Sequence, residues 1–325
     1  MLLPRIVSLL PSATEILHSL GLTEYLVGRS HECDFPPEVT ALPVCTAPKF
    51  NPEGTSRAIH DRVTDLLQAA LSVYQINTDV LQALRPTHIV TQAQCEVCAV
   101  SLPEVEAAVQ GLTGETPQIL SLQPNSLAEV WDTLRQVATA LLGEAGPERA
   151  EAAIAPLQAR LQTAQQAVAA VSHRPTVACL EWPDPLMAAG NWVPELVTLA
   201  GGIPKLAQPG QHSPWIGWND LVKVDPEVIV LMPCGYDLAT AVRESAILQT
   251  NLHWRLLRAV KTGRVYVTDG NQYFNRPGPR LVDSVEILAE IIHPEVGAPR
   301  YQGAGWQRLQ ECPQPDSLVP ANRSR

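Results

Sequence analysis

The sequence predicts an α/β fold of two lobes, each a mostly parallel sheet covered by helices, joined by a long helical connector. Three observations predict it. Short Val- and Ile-rich runs recur along the chain with helix-period segments between them, the alternation that a parallel sheet and its crossovers require. These runs fall into two sets, one before residue 125 and one after residue 172. Between the sets lies an Ala-, Leu- and Gln-rich stretch whose apolar residues recur at helical spacing.

The first set opens with RIVSLL (5–10), a continuous apolar run suited to a buried strand. Ser12 or Thr14 then offers a cap for a helix with Ile16, Leu17 and Leu20 on one face. LVGRS (26–30), HIVTQ (88–92) and QILSL (118–122) supply further strands of the first lobe. The connector, 126–171, is broken once by Gly143, Gly146 and Pro147. Its second half, from Pro147 to Val171, would extend about 35 Å, enough to run across both lobes, and a stiff connector of this kind implies modest lobe movement. TVACLE (176–181), VIVLMP (228–233) and RVYVTD (264–269) are the strands of the second lobe, with VPELVTLAGG and PRLVDSVEILAEII as helices. The expected boundaries are therefore 1–125 for the first lobe, 126–171 for the connector, 172–295 for the second lobe and 296–325 for a tail. That tail is rich in Gly, Pro, Gln and Ser and is expected to have no core of its own.

The bulk properties exclude several functions. With 46% hydrophobic and 17% charged residues in 325, the chain is expected to fold. A net charge of −10 with no basic run disfavours nucleic acid and anionic membranes as partners. No run of about 18 apolar residues is present, so no membrane insertion is expected. The apolar N-terminus has no basic stretch after Met1 and is interrupted by Pro4 and Pro11, so it reads as structure and not as a leader. The seven cysteines (33, 45, 95, 98, 179, 234 and 312) lack the spacing of a disulfide scaffold. Together these features point to a reducing, cytoplasmic location, or a periplasmic one if the chain is a trimmed piece.

Ligands of parallel α/β sheets bind outside the carboxyl ends of the strands. The segments least like core or surface filler all follow strands: HECDFPP, AQCEVCAVS, WPDP, CGYD and GNQYFNRPGP. Drawn from both halves, they predict one ligand cleft between the lobes. The candidates are His31, Glu32, Cys33 and Asp34 in the first loop, with Gln92, Cys95 and Cys98 in the second. The second lobe adds Glu181, Trp182, Cys234, Tyr273, Phe274 and Asn275. Trp192, Trp215 and Trp218, also in second-lobe loops, either pack the lobe or help wall a large flat ligand. The pair Cys95 and Cys98 is open to several readings: half a zinc site, a redox dithiol, iron–sulfur ligands or small apolar filler. A zinc ribbon would need a second such pair, which the sequence lacks. If His31, Cys33, Cys95 and Cys98 share adjacent strand ends, a Cys3His metal site becomes possible, with Cys234 approaching from the facing lobe.

Taken in order, RIVSLLPSATEILHSLGL, VGRSHECDFPPEV, YQINTDVLQALRPTHIVTQ, the long connecting helix, NWVPELVTLAGG, DPEVIVLMPCG and NRPGPRLVD resemble the cobalamin-binding solute-binding proteins of ABC importers. These lie within the wider iron-siderophore and cobalamin periplasmic-binding superfamily, and the resemblance spans about residues 4–295. It implies two Rossmann-like lobes joined by one helix, a corrinoid in the cleft between them, and no chemistry. It also implies one acidic residue on each lobe for docking onto an ABC permease. Asp79 matches the first, and Asp220, one position off, stands near the second. WIGWND and NQYFNRP match loops that touch ligand, and Glu32 stands where the family loop carries an aromatic. Against the family's pattern, no signal sequence or lipid-anchor cysteine is expected from this N-terminus, and the thiols are a further departure.

The leading expectation is a monomeric, non-enzymatic protein that binds cobalamin or another corrinoid, as an importer component or as an intracellular carrier or sensor. One alternative is a metal protein holding zinc or an iron–sulfur cluster through Cys33, Cys95, Cys98 and Cys234, with His31 as a further ligand. Another is a thiol enzyme with Cys95 or Cys98 as nucleophile, although no Ser–His–Asp-like set or glycine-rich phosphate loop accompanies them.

Overall fold

The structure, a computed structural model, describes residues 3–69, 72–93, 100–114 and 116–310. The first lobe begins with β1 (Ile6–Ser8), α1 (Pro11–Ser19) and β2 (Leu26–Arg29). A separate antiparallel ribbon follows, made of β3 (Thr46–Pro48) and β4 (Tyr74–Ile76), with α2 (Ser56–Gln68) between its strands. Then come α3 (Thr78–Leu84), β5 (His88–Gln92), α4 (Leu102–Gln110) and β6 (Gln118–Leu122). The lobe's sheet has the order β2-β1-β5-β6 and is parallel throughout. β1 lies inside it and is buried on both faces, which is why its sequence is a continuous apolar run without alternation. Helix α1 starts on Pro11, whose ring suits the first helical turn. No side chain caps it: Thr14, expected as a cap, instead places its hydroxyl 2.9 Å from Ser8 Oγ inside the lobe.

The connector is two helices, α5 (Leu127–Leu142) and α6 (Gly146–Ala169). The hydroxyl of Ser126 accepts from Glu129 N and caps α5. Between the helices, a Cβ on Gly146 would lie 2.6 Å from Ala138 O, so only glycine lets α6 fold back so closely on α5. The 24 residues of α6 reach about 36 Å. Near its start Arg149 donates to Leu20 O of the first lobe, and further along Arg160 bridges to Asp283 and Glu286 of the second.

The second lobe comprises β7 (Thr176–Pro183), β8 (Leu186–Ala188), α7 (Val193–Leu199), β9 (Ile203–Lys205), α8 (Trp218–Val224) and β10 (Val228–Leu231). It continues with α9 (Leu238–Ser245), α10 (Arg258–Lys261), β11 (Val265–Thr268), α11 (Leu281–Ile292) and β12 (Trp306–Arg308). Strands run β12-β11-β10-β7-β8, with β9 beside the first half of β7. β12 corrects the expectation for the last segment. Residues up to Arg308 complete the sheet antiparallel to β11, and Trp306 is buried with its Nε1 donating to Glu290 Oε2 at 2.7 Å.

One apolar core passes through both lobes. Ile16 and Leu17 of α1, Leu134 of α5, Ile154 of α6, Leu196 of α7 and Leu288 of α11 belong to a single buried cluster, while the opposite face of each sheet has its own. The lobes are thus fused along a helical layer on one side. Only the strand-end side separates them as a seam.

Candidate functional site

At this seam the loop after β2 meets the loop after β11. Arg276 Nη1 lies 2.6 Å from Asp34 Oδ1 and Nη2 lies 3.0 Å from Asp34 Oδ2, a bidentate pair across the lobes. Nη2 also donates to Asn271 Oδ1 at 2.9 Å, and Asn271 Nδ2 donates to Asp34 Oδ2 at 2.9 Å. Below this pair is Glu15 of α1, which is 1% exposed; its Oε1 accepts from Arg280 at 2.6 Å and from Arg276 at 3.3 Å. The Arg280 guanidinium also stacks 4.3 Å from the centre of the Phe35 ring. Two guanidinium groups of the second lobe therefore face two carboxylates of the first. Burial acts to raise the pKa of Asp34, but its bonds to Arg276 outweigh this and hold it below the ordinary carboxylate value.

The loop carrying the arginines is tightly built. Phe274 has φ +68°, a left-handed conformation rare for an aromatic residue, and its N–H donates to Ser284 Oγ. Asn275 Nδ2 donates to Met232 O and Gly270 O. A Cβ on Gly270 would lie 2.0 Å from Pro233 O, so the loops after β10 and β11 pack backbone against backbone.

Beside the paired acids lies a second set that no guanidinium among the described residues bridges. Glu32 is half-buried, and its Oε1 accepts only a long bond, 3.3 Å, from Tyr74 Oη. Burial pushes its carboxyl up to about 7, against partial relief from Arg276 and Tyr74. From the facing lobe, Glu181 at the end of β7 accepts from Ser213 Oγ at 2.5 Å, and burial raises its pKa too. The Cys234 thiol feels both acids, which add to burial in pushing it well above an ordinary thiol. Glu32, Cys234 and Glu181 thus form an acidic, half-buried strip spanning the seam.

Helix α2 closes one end. Arg57 forms a two-nitrogen pair with Asp184, Ser56 N donates to Glu244 Oε2 at 3.0 Å, and Ile59 packs on the second lobe's core. His60 meets the edge of Trp215, which is 56% exposed, at 5.0 Å between ring centres.

The predicted site residues divide by place. His31, Glu32 and Asp34 border the seam from the first lobe, and Glu181 and Cys234 from the second. Tyr273 packs edge-on against Tyr301, and Trp182 packs on Tyr236 at 5.2 Å with its Nε1 donating to Asp184 O. Trp218 contacts Trp254 inside the second lobe. Trp192 and Phe274 are core residues where ligand contact was expected: both are buried, and Trp192 Nε1 donates to Phe274 O at 2.6 Å. Gln92 is buried at the end of β5.

Cys33 is likewise buried, its Sγ 3.0 Å from Thr14 Oγ1 and its thiol raised by burial to about 11, while His31 Nδ1 is engaged by Thr46 Oγ1 at 2.8 Å. Among the described residues no group of three His, Cys, Asp or Glu is placed to hold a metal ion. Cys95 and Cys98 lie outside the described residues.

Asp79 and Asp220 are exposed in the first turns of α3 and α8. These helices are counterparts: each ends on a left-handed residue before a proline, Arg85 and Asp225, and each leads into an inner strand, β5 and β10.

Sequence reasoning missed Arg276, Arg280, Glu15 and Tyr74. A signal was present in NRPGPR, where two arginines four apart flank a Pro-Gly-Pro turn and follow a strand.

The chain is 26% identical over 295 residues to a vitamin B12-binding protein of Vibrio cholerae, covering 89% of this chain and 88% of that one. It is 24% identical over 299 residues to the uncharacterized ABC transporter substrate-binding lipoprotein YvrC of Bacillus subtilis, covering 90% and 80%. Among solved structures it shares the fold of the periplasmic heme-binding protein RhuT from Roseiflexus sp. RS-1. The TM-score is 0.66 at 21% identity, covering 91% of this chain and 100% of that one. The family model described as periplasmic binding protein matches residues 6–272, and the chain belongs to that family.

Proposed function

We propose that this protein is the ligand-binding component of an ABC importer and that its ligand is a corrinoid held at the seam between the lobes. The observation that carries this reading is the strip Glu32–Cys234–Glu181, which is half-buried, drawn from both lobes and, among the described residues, bridged by no guanidinium at the strand ends. Strongly perturbed groups of this kind collect where a protein meets its ligand. Similarity to the vitamin B12-binding protein supports a corrinoid, and the exposed acids Asp79 and Asp220 on matching helices support docking to a permease over a free intracellular carrier or sensor. Trp215 and Trp182 beside the seam offer flat apolar surface to a macrocycle. The test is titration of the protein with cyanocobalamin, followed by calorimetry and tryptophan fluorescence. Saturable heat accompanied by quenching supports the reading. Absence of both at high micromolar ligand overturns it.

A further inference from the structure

The acids at the seam are of two kinds. Glu15 and Asp34 are met by Arg276, Arg280 and Asn271. Glu32 and Glu181 are not. Each has one carboxylate oxygen engaged from its own lobe, Oε1 of Glu32 by Tyr74 and Oε2 of Glu181 by Ser213. Among the described residues the other oxygen of each accepts no hydrogen bond, and neither is sealed from solvent. Among the described residues no guanidinium bonds to either carboxylate: Arg276 is spent on Asp34 and Glu15, Arg280 on Glu15, and Arg57 on Asp184.

Resting on the seam as the ligand site, we propose that Glu32 and Glu181 choose the ligand by its rim, accepting N–H donors from both lobes at once and turning away rims that carry carboxylates. An unpaired carboxylate in a poorly solvated place gains most from a donor, because a charge-assisted hydrogen bond is about twice as strong as a neutral one. A second carboxylate brought to the same place meets like charge. The two macrocycle classes differ in this respect. A corrin rim bears primary amides, each with two N–H donors, whereas a haem rim bears two carboxylates and no N–H. The groups facing the pair are Tyr74, Asp34, Arg276 and Cys33 around Glu32, and Ser213, His212 and Cys234 around Glu181. Of these, Arg276 is already bonded to Glu15 and Asp34, and His212 Nδ1 lies 3.0 Å from Ser213 O.

The experiment is calorimetric titration of the full chain with cyanocobalamin and, separately, with hemin. Wild type is compared with Glu32→Gln, Glu181→Gln and Glu32→Lys, each checked for native fold by circular dichroism. The expected result is binding of cyanocobalamin by wild type, weakened about tenfold by either Gln substitution as the charge-assisted bond is lost. Hemin is expected to bind wild type poorly and to improve in Glu32→Lys. Folded Gln variants that keep wild-type affinity for cyanocobalamin would overturn the assignment of these two residues while leaving the seam as the site. Wild type preferring hemin overturns the rim rule, and no heat with either ligand overturns the seam reading and this proposal with it.

Discussion

Arg276 of the second lobe grips Asp34 of the first through both guanidinium nitrogens, at 2.6 and 3.0 Å, joining residues 242 positions apart in the chain. Beneath them Glu15 reaches both Arg276 and Arg280, so the contact is a four-residue network and not an isolated pair. It fixes how closely the strand-end loops approach, and so shapes the seam where the ligand is proposed to lie.

Replacing Arg276 by Ala leaves Glu15, buried at 1% exposure, without one of its two cations and Asp34 without either guanidinium bond. Removing one partner of a buried ion pair costs about 3–5 kcal/mol. Arg276→Lys is expected to recover only part of this, because an ammonium cannot reproduce the two-nitrogen grip. Urea unfolding of the three proteins checks the order.

Stability is expected to fall between about pH 4.5 and pH 7 because of Glu32. Its carboxyl titrates at about 7 in the fold against an ordinary 4.5, so between these values the fold holds a proton that the unfolded chain has released. The contribution is fully present below 4.5 and lost as pH rises through 7. Asp34 has the opposite sign: held below its ordinary value of 3.8, it contributes above that value and is lost on acidification below it. Melting curves of wild type and Glu32→Gln across this range check the first claim. The variant is expected to show a flatter profile and to melt higher than wild type at the alkaline end.

Trp192→Phe separates core from site. It removes the 2.6 Å bond to Phe274 O and leaves that buried carbonyl without the indole donor, a loss of about 1–3 kcal/mol in stability. Because the ring lies in the shared core, cyanocobalamin affinity is expected to stay within twofold of wild type. A large affinity loss at full stability would return Trp192 to the ligand wall.

Charge reversal at Asp79 and Asp220 is expected to slow ligand uptake into cells or vesicles carrying the permease while leaving affinity in solution unchanged. Both side chains are exposed, although Asp220 Oδ2 also accepts from Gly217 N at 2.8 Å and caps its own helix. Asp220→Asn, which retains a capping oxygen, distinguishes lost charge from a frayed helix.

The strands were legible because their signal is local. RIVSLL and VIVLMP are buried on both faces and announce it as unbroken apolar runs. The two-set arrangement, the connecting helices and the strand-end position of the seam follow from that pattern. β12 was not legible, because WQR is three residues of no clear period that gain their place by pairing with β11. The role of Arg276 was hidden for a similar reason: its partner is distant in the chain and no spacing rule connects them. Trp192 and Phe274 misled because residues in loops were expected to face outward. The left-handed backbone at Phe274 helps turn this loop back on itself, with the ring buried in the core. Glu32 was found as a candidate, but that its charge stays unpaired could be seen only once Arg276 was located on Asp34.

The ligand is proposed to lie between the lobes, and cobalt supplies its own marker. A crystal grown with cyanocobalamin and measured at the cobalt absorption edge locates the metal without reference to any assumed pose. A single strong anomalous peak is expected at the seam, with corrin amides directed at Glu32 and Glu181. A peak on the outer surface of either lobe, or none in crystals whose solution shows saturable binding, would contradict it.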